Sequence, residues 1–184
     1  YDLIGIDLMA DVLKSFIKEL PESDPFQPVA REMPLVKKLI ETGYTGRKGK
    51  GGFYRMNKEG GKKILEAINL ETGEYSPSKK IDIKSEKVDL KKLINRGDKY
   101  GDYAWSVISK IIKYSSSLVP GITDKFNDID EAMRLGFNWS RGPFEMLKEI
   151  GVNNFFQKVD NYEGNKFLEN LSKSKDENFY GERQ

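Results

Sequence analysis

Asp128-Ile129-Asp130-Glu131-Ala132-Met133-Arg134-Leu135-Gly136-Phe137-Asn138-Trp139-Ser140-Arg141-Gly142-Pro143-Phe144-Glu145-Met146-Leu147-Lys148-Glu149-Ile150-Gly151 is the stretch from which the rest of the chain can be read. Ile129, Ala132, Met133 and Leu135 recur at helical spacing. Asp128, or its neighbour Asn127, offers a side-chain oxygen to cap that helix. Gly136 is placed to end it in a left-handed turn, a conformation that costs glycine least. Gly142 and Pro143 then open a second helix, because proline has no N–H to lose at the first helical position. Phe144 projects inward from that entry as an anchor, followed by Met146, Leu147 and Ile150. Each residue taken singly has a plain reading as part of a helix–turn–helix in a core. The ordered set is far more specific.

Working outward, the upstream chain reads as a helix near 88–96 that stops at Gly97. A longer helix follows over about 99–118, carrying Tyr103, Trp105, Val107, Ile108, Ile111 and Ile112 and ending before Pro120. Downstream, two short helices are expected over 152–160 and 164–173. The N-terminal part repeats the helical pattern over 3–19, until Pro21 ends it. Three prolines mark residues 21–33 as loop. Pro34 starts a helix with Leu35, Val36, Leu39 and Ile40, and Gly43 stops it. Gly46 to Gly52 is too glycine-rich for regular structure. Residues 53–76 read as a small β-hairpin or a three-stranded meander, and the polar stretch 77–87 as a linker.

Composition narrows the function classes. The 184 residues hold 31 Lys+Arg against 29 Asp+Glu, a formal net charge of +2, so nucleic acid is not an expected partner. No apolar run approaches the ~20 residues that span a bilayer, so no membrane partner is expected. The start shows no signal-peptide pattern and lies within an apolar segment without Met, as a fragment would. The chain contains no cysteine, which rules out disulfides and thiolate metal sites and suits a cytoplasmic setting. It also contains no histidine, the usual general base near neutral pH. No catalytic, cofactor-binding or metal-ligating residue is therefore assigned.

Two segments resemble the C-terminal domain of the 3-hydroxyacyl-CoA dehydrogenase family. One runs from Tyr1-Asp2-Leu3-Ile4-Gly5-Ile6-Asp7 to Gly46-Arg47-Lys48-Gly49-Lys50-Gly51-Gly52-Phe53-Tyr54. The other is the stretch quoted at the outset, similar to the family's I-D-x-A-M and G-P-F-E elements. The two also resemble each other: with Gly5 set against Gly151, Ile4 meets Ile150, Ile6 meets Val152 and Met9 meets Phe155. Asn178-Phe179-Tyr180 similarly echoes Gly52-Phe53-Tyr54. The resemblance implies a mainly α fold like the C-terminal part of 6-phosphogluconate dehydrogenase. Two tandem helical units would form an internal pseudo-dimer, as in multifunctional fatty-acid oxidation enzymes. The first would cover 1–78, truncated at its start and carrying the β-hairpin, and the second 79–184. Gly136, Gly142, Pro143, Phe144, Phe53 and Tyr54 are the structural and interface candidates. The resemblance further implies NAD for the full-length enzyme and none in this part, an N-terminal Rossmann domain elsewhere, an acyl-CoA substrate and a fused enoyl-CoA hydratase module. A stand-alone helical interaction module is the alternative.

Sharper motifs weaken on inspection. Gly49-Lys50-Gly51-Gly52-Phe53-Tyr54 begins like a dinucleotide fingerprint, but Tyr54 stands where the third glycine belongs. The order there is helix–loop–strand, the reverse of what phosphate binding uses. The plainer reading has Phe53 and Tyr54 docking on the helices. Arg47, Lys48, Lys50, Arg55, Lys58, Lys62 and Lys63 form a basic run that could contact an anion such as the coenzyme A phosphates, but it reads better as a solvated loop. Tyr54 and Lys58 match the Tyr-x-x-x-Lys spacing of another dehydrogenase class only by chance, since that pair needs one helix turn.

Overall fold

The computed structural model describes residues 1–79 and 89–181, so most of the expected 77–87 linker lies outside the described residues. The chain divides into two compact units, Tyr1–Ile83 and Lys84–Gln184.

The first unit pairs two helices with a small sheet. Helix α1 (Ile6–Glu19) starts after Gly5, whose φ of +125° is open only to glycine. It stops at Leu20, held extended because Pro21 follows. Helix α2 (Pro34–Glu41) has proline at its first position, as the sequence indicated, and Gly43 follows it with φ +81°. The β segment is a three-stranded antiparallel meander rather than a two-stranded hairpin, in the order β1 (Tyr54–Asn57), β2 (Ile64–Ile68), β3 (Tyr75–Pro77). The third strand forms because Asn69 turns the chain back, its side-chain oxygen accepting the N–H groups of Glu71 and Thr72. Arg55 lies directly across from Glu66 and donates to it at 2.7 Å, while its guanidinium stacks 4.1 Å from the Tyr75 ring. The Asn57 amide and then the Arg55 guanidinium hold the Glu66 carboxyl below the usual carboxylate range. Arg55 is thus withdrawn from the solvated basic run.

The described residues of the second unit form helices joined by turns and loops, with no strand among them. Helices α3 (Leu90–Ile94) and α4 (Lys99–Ser117) are each capped by an aspartate: Asp89 accepts from the Lys92 N–H, and Asp98 from those of Tyr100 and Gly101. Then come α5 (Phe126–Phe137), α6 (Pro143–Ile150), α7 (Val152–Phe156) and α8 (Lys166–Ser174). Leu90, Ile94, Ile112, Leu147, Ile150, Val152, Phe155, Val159, Leu168 and Leu171 form one continuous core.

Two sequence expectations fail at α5. Its N-cap is Lys125, so Asp128 sits in the first turn instead, accepting the Thr123 hydroxyl at 2.9 Å. Its end is also not at Gly136. The helix runs through Gly136 to Phe137, and Asn138 takes the left-handed conformation at φ +55°. Asparagine tolerates that region better than other residues with a Cβ, so the stop signal lay two residues beyond the glycine.

Candidate functional site

The entry to α6 is built around Asp130. This residue lies on the inner side of α5 and is fully buried. Its carboxylate accepts the Phe144 N–H at 2.8 Å and the Glu145 N–H at 2.9 Å, two donors of the first turn of α6 that have no partner within the helix. The Tyr180 hydroxyl donates to the same carboxylate at 2.8 Å. A buried charge is tolerable when it is fully hydrogen-bonded at a helix N-terminus, where the backbone dipoles favour a negative group. Burial pushes the Asp130 carboxyl above its ordinary range, opposed by these three donors. Burial, together with the Asp130 charge, raises the Tyr180 hydroxyl well above an ordinary tyrosine.

Around this carboxylate the expected residues gather. A Cβ on Gly142 would stand 2.3 Å from the Asp130 carboxyl carbon, so this position is glycine for lack of space; its φ of −80° is ordinary. The Gly142 N–H donates to Glu145 at 2.9 Å, and the other oxygen of Glu145 takes Arg134 from α5. Pro143 follows at the first helical position. Phe144 is 0 % exposed, with its ring centroid 5.1 Å from both Phe126 and Phe167; Phe179 and Tyr180 complete the aromatic cluster around Phe126. Gly136 stands apart from this arrangement, with open space around it. The structure brings Gly142, Pro143 and Phe144 together with Asp130 and Tyr180, which the sequence reading did not single out.

Unit 1 contains a related clasp. The Asp2 carboxylate accepts the Phe53 N–H at 2.9 Å and the Tyr54 N–H at 2.8 Å, and the Arg47 N–H donates to the Asp2 carbonyl at 2.8 Å. The loop glycines make room for this segment: a Cβ on Gly46 would meet the Asp2 carbonyl at 2.5 Å, and one on Gly52 the Asp2 carboxylate at 2.5 Å. Phe53 packs edge-on against Tyr1 at 6.0 Å. Tyr54 does not dock on a helix as expected; it is 52 % exposed, because the pleat that turns Arg55 toward Glu66 turns Tyr54 outward.

This loop does not fit a dinucleotide. The space beside Gly52 is filled by Asp2 and Ile6, that beside Gly51 by Arg55 and that beside Gly49 by Gly43 and Thr45; the loop leads into a strand, and an aspartate carboxylate already takes the N–H groups a phosphate would need. Among the described residues, no cluster of acidic side chains is arranged to hold a metal ion, and no helix is long and apolar enough to cross a membrane. Unit 1 also carries an apolar groove of 610 Å³ along α1 and α2.

This chain is homologous to part of the 3-hydroxyacyl-CoA dehydrogenase and fatty acid oxidation proteins. It is 38% identical over 95% of its length to a Rickettsia felis protein named "Putative fatty acid oxidation complex trifunctional enzyme", and 41% identical over 84% to a Rickettsia prowazekii protein of the same name. It is 31% identical over 86% of its length to a Bacillus subtilis protein named "Probable 3-hydroxyacyl-CoA dehydrogenase". The chain spans only 25%, 21% and 20% of those three relatives. No family model matches it, and no solved structure does.

Proposed function

We propose that this chain is the C-terminal, non-catalytic part of an NAD-dependent (3S)-3-hydroxyacyl-CoA dehydrogenase of fatty-acid oxidation. In this reading it holds two tandem C-terminal units, residues 1–78 and 79–184, the first without its opening helices. They supply the domain-pairing surface and part of the acyl-CoA side. The likeness to proteins carrying those names, over nearly the whole chain, is the observation that carries the reading. The lack of any histidine supports a reading in which the proton-transfer base lies elsewhere in the full-length protein, and the misfit of the glycine loop supports the same for NAD. A Rossmann domain, and in the trifunctional arrangement a hydratase module, would lie in the remaining length, in a cytoplasmic enzyme.

The contacts of two corresponding residues, Asp2 and Lys148, support the tandem reading. Lys148 stands 146 positions after Asp2, the same interval that sets Gly151 against Gly5. Asp2 holds the N–H groups of Phe53 and Tyr54, whereas Lys148 donates to the Gly181 carbonyl at 3.1 Å with its ammonium 5.5 Å from the Tyr180 ring. In each unit the residue three before the helix-starting glycine thus reaches the Phe-Tyr segment, Asp2 by two hydrogen bonds and Lys148 by a weaker, exposed contact. Gly142, Pro143, Phe144 and Phe53 act here as structural residues within the units, and the exposed Gly136 and Tyr54 as candidates for the pairing surface.

Calorimetry tests the division of labour. The isolated chain should show no NAD binding, and the full-length protein should bind it. A micromolar dissociation constant for the isolated chain, about 8 kcal/mol of interaction, would refute the assignment.

A further inference from the structure

Among the described residues, unit 1 buries only two apolar side chains, Ile6 and Leu39, while unit 2 buries eleven. Helix α1 accordingly leaves Leu8, Val12 and Phe16 exposed. Such a bare apolar face on a helix pair calls for a covering element.

The corresponding positions in unit 2 show what covers them there. Helices α1 and α7 correspond at an interval of 146 residues. Helices α2 and α8 correspond at an interval of 132, which sets their turn residues Gly43 (φ +81°) and Lys175 (φ +50°) against each other. Ile6 and Val152 are buried alike, as are Leu39 and Leu171. Other pairs part company. Ile150 is 0 % exposed but its mate Ile4 is 53 % exposed; Phe155 and Leu168 are fully buried, but their mates Met9 and Val36 line the open groove. In unit 2 the cover is α4, packed on α6 and α8, with the Trp105 ring 5.6 Å from Phe155 and Ile112 in the core.

We propose that the groove of unit 1, lined by Met9, Leu13, Phe16, Phe26, Met33 and Val36, is a docking site for an amphipathic helix of the same kind as α4. The proposal rests on the tandem-unit reading and specifies the occupant: a helix about five turns long, with an apolar stripe like that of Ala104, Trp105, Ile108 and Ile112, supplied by the full-length protein. The groove's volume of 610 Å³ suits the apolar stripe of a helix. Its rim mixes Lys14, Arg31 and Lys37 with Glu32 and Glu41, which fits the polar flanks of a helix better than a purely anionic ligand.

The chain has no cysteine, so one can be introduced as a reporter. Met33 lines the groove and is 54 % exposed; Leu70, also in unit 1 and exposed, does not line it. The Met33→Cys and Leu70→Cys chains are labelled with a maleimide, with and without a synthetic peptide of residues 98–118, which carries the α4 stripe and its own cap. Both thiols should react rapidly in the chain alone. At a peptide concentration ten times its dissociation constant, labelling of Met33→Cys should slow about tenfold and that of Leu70→Cys should not change. Adding Val36→Glu to Met33→Cys should abolish the protection, with circular dichroism confirming that the helices persist. Three results would overturn the proposal: no protection up to saturating peptide, slow labelling of Met33→Cys in the dilute chain alone (a cover from unit 2), or slowing that grows with chain concentration (a second copy). Labelling involves neither NAD nor a thioester. Protection beside an inert full-length protein would sink the dehydrogenase reading and spare the groove; turnover without protection would do the reverse.

Discussion

Phe144→Ala tests whether the Gly142-Pro143 turn anchors unit 2. The ring is fully buried and lies 5.1 Å from two other aromatic rings. Truncating a buried phenylalanine typically costs about 3–5 kcal/mol, part transfer energy and part cavity. Here the site collapses poorly, because Phe126 and Phe167 are held by further rings, so the upper half of that range applies. Lys148, one helical turn later, is the control. It is exposed and makes one exposed hydrogen bond and one ring contact, worth at most about 1 kcal/mol together. The assay is built into the chain, since both tryptophans, Trp105 and Trp139, belong to unit 2 and their fluorescence reports its unfolding. With a urea slope of about 1.5 kcal/mol per molar, Phe144→Ala should lower the midpoint by about 2.7–3.3 M and Lys148→Ala by at most about 0.7 M. Alanine is a good helix former at either position, so propensity cannot produce the difference. Midpoints within about 0.5 M of each other would show that Phe144 does not anchor the turn.

The two glycines of the same motif should behave oppositely. Gly142→Ala forces a methyl into the Asp130 carboxyl and should destabilise unit 2 by about 1–3 kcal/mol. Gly136→Ala fills open space inside a helix and should stabilise it by about 0.5–1 kcal/mol; denaturant titration reads both. Glu177 gives a pH prediction. The N–H groups of Asn153 and Val152 hold its carboxyl below the ordinary range, so its contribution is present above the unfolded-state pKa and is lost as pH falls through the lower folded value. Glu177→Gln should therefore flatten the loss of stability below about pH 4.5, measured by urea midpoints from pH 7 to pH 3; an unchanged acid limb would contradict the cap.

What the sequence conveyed was local chemistry. Pro34 and Pro143 stand at helix starts because proline suits that position, and Gly43 follows α2 with a positive φ. Long-range pairings were harder to read. Asp130 looks like a solvated helix charge until the chain folds back at Phe144, fourteen residues later. A signal existed: Asp130 falls on the same helical stripe as Phe126, Ile129 and Met133, where a charge needs a partner. Gly136 misled because it is the residue most suited to a left-handed stop, yet Asn138 could serve two positions later and let α5 run on. Tyr54 was misplaced because strand pleating, not hydrophobicity, decides which side chain turns outward beside the Arg55–Glu66 pair.

The most direct test of the dehydrogenase assignment is turnover of acetoacetyl-CoA with NADH, followed by the absorbance of NADH, by the full-length protein and by this chain side by side. The full-length protein should oxidise NADH and the isolated chain should not exceed a heat-killed control, because it carries no histidine and its glycine loop is closed by Asp2. Turnover by the isolated chain, or a folded full-length protein inert toward the thioester, would contradict the account.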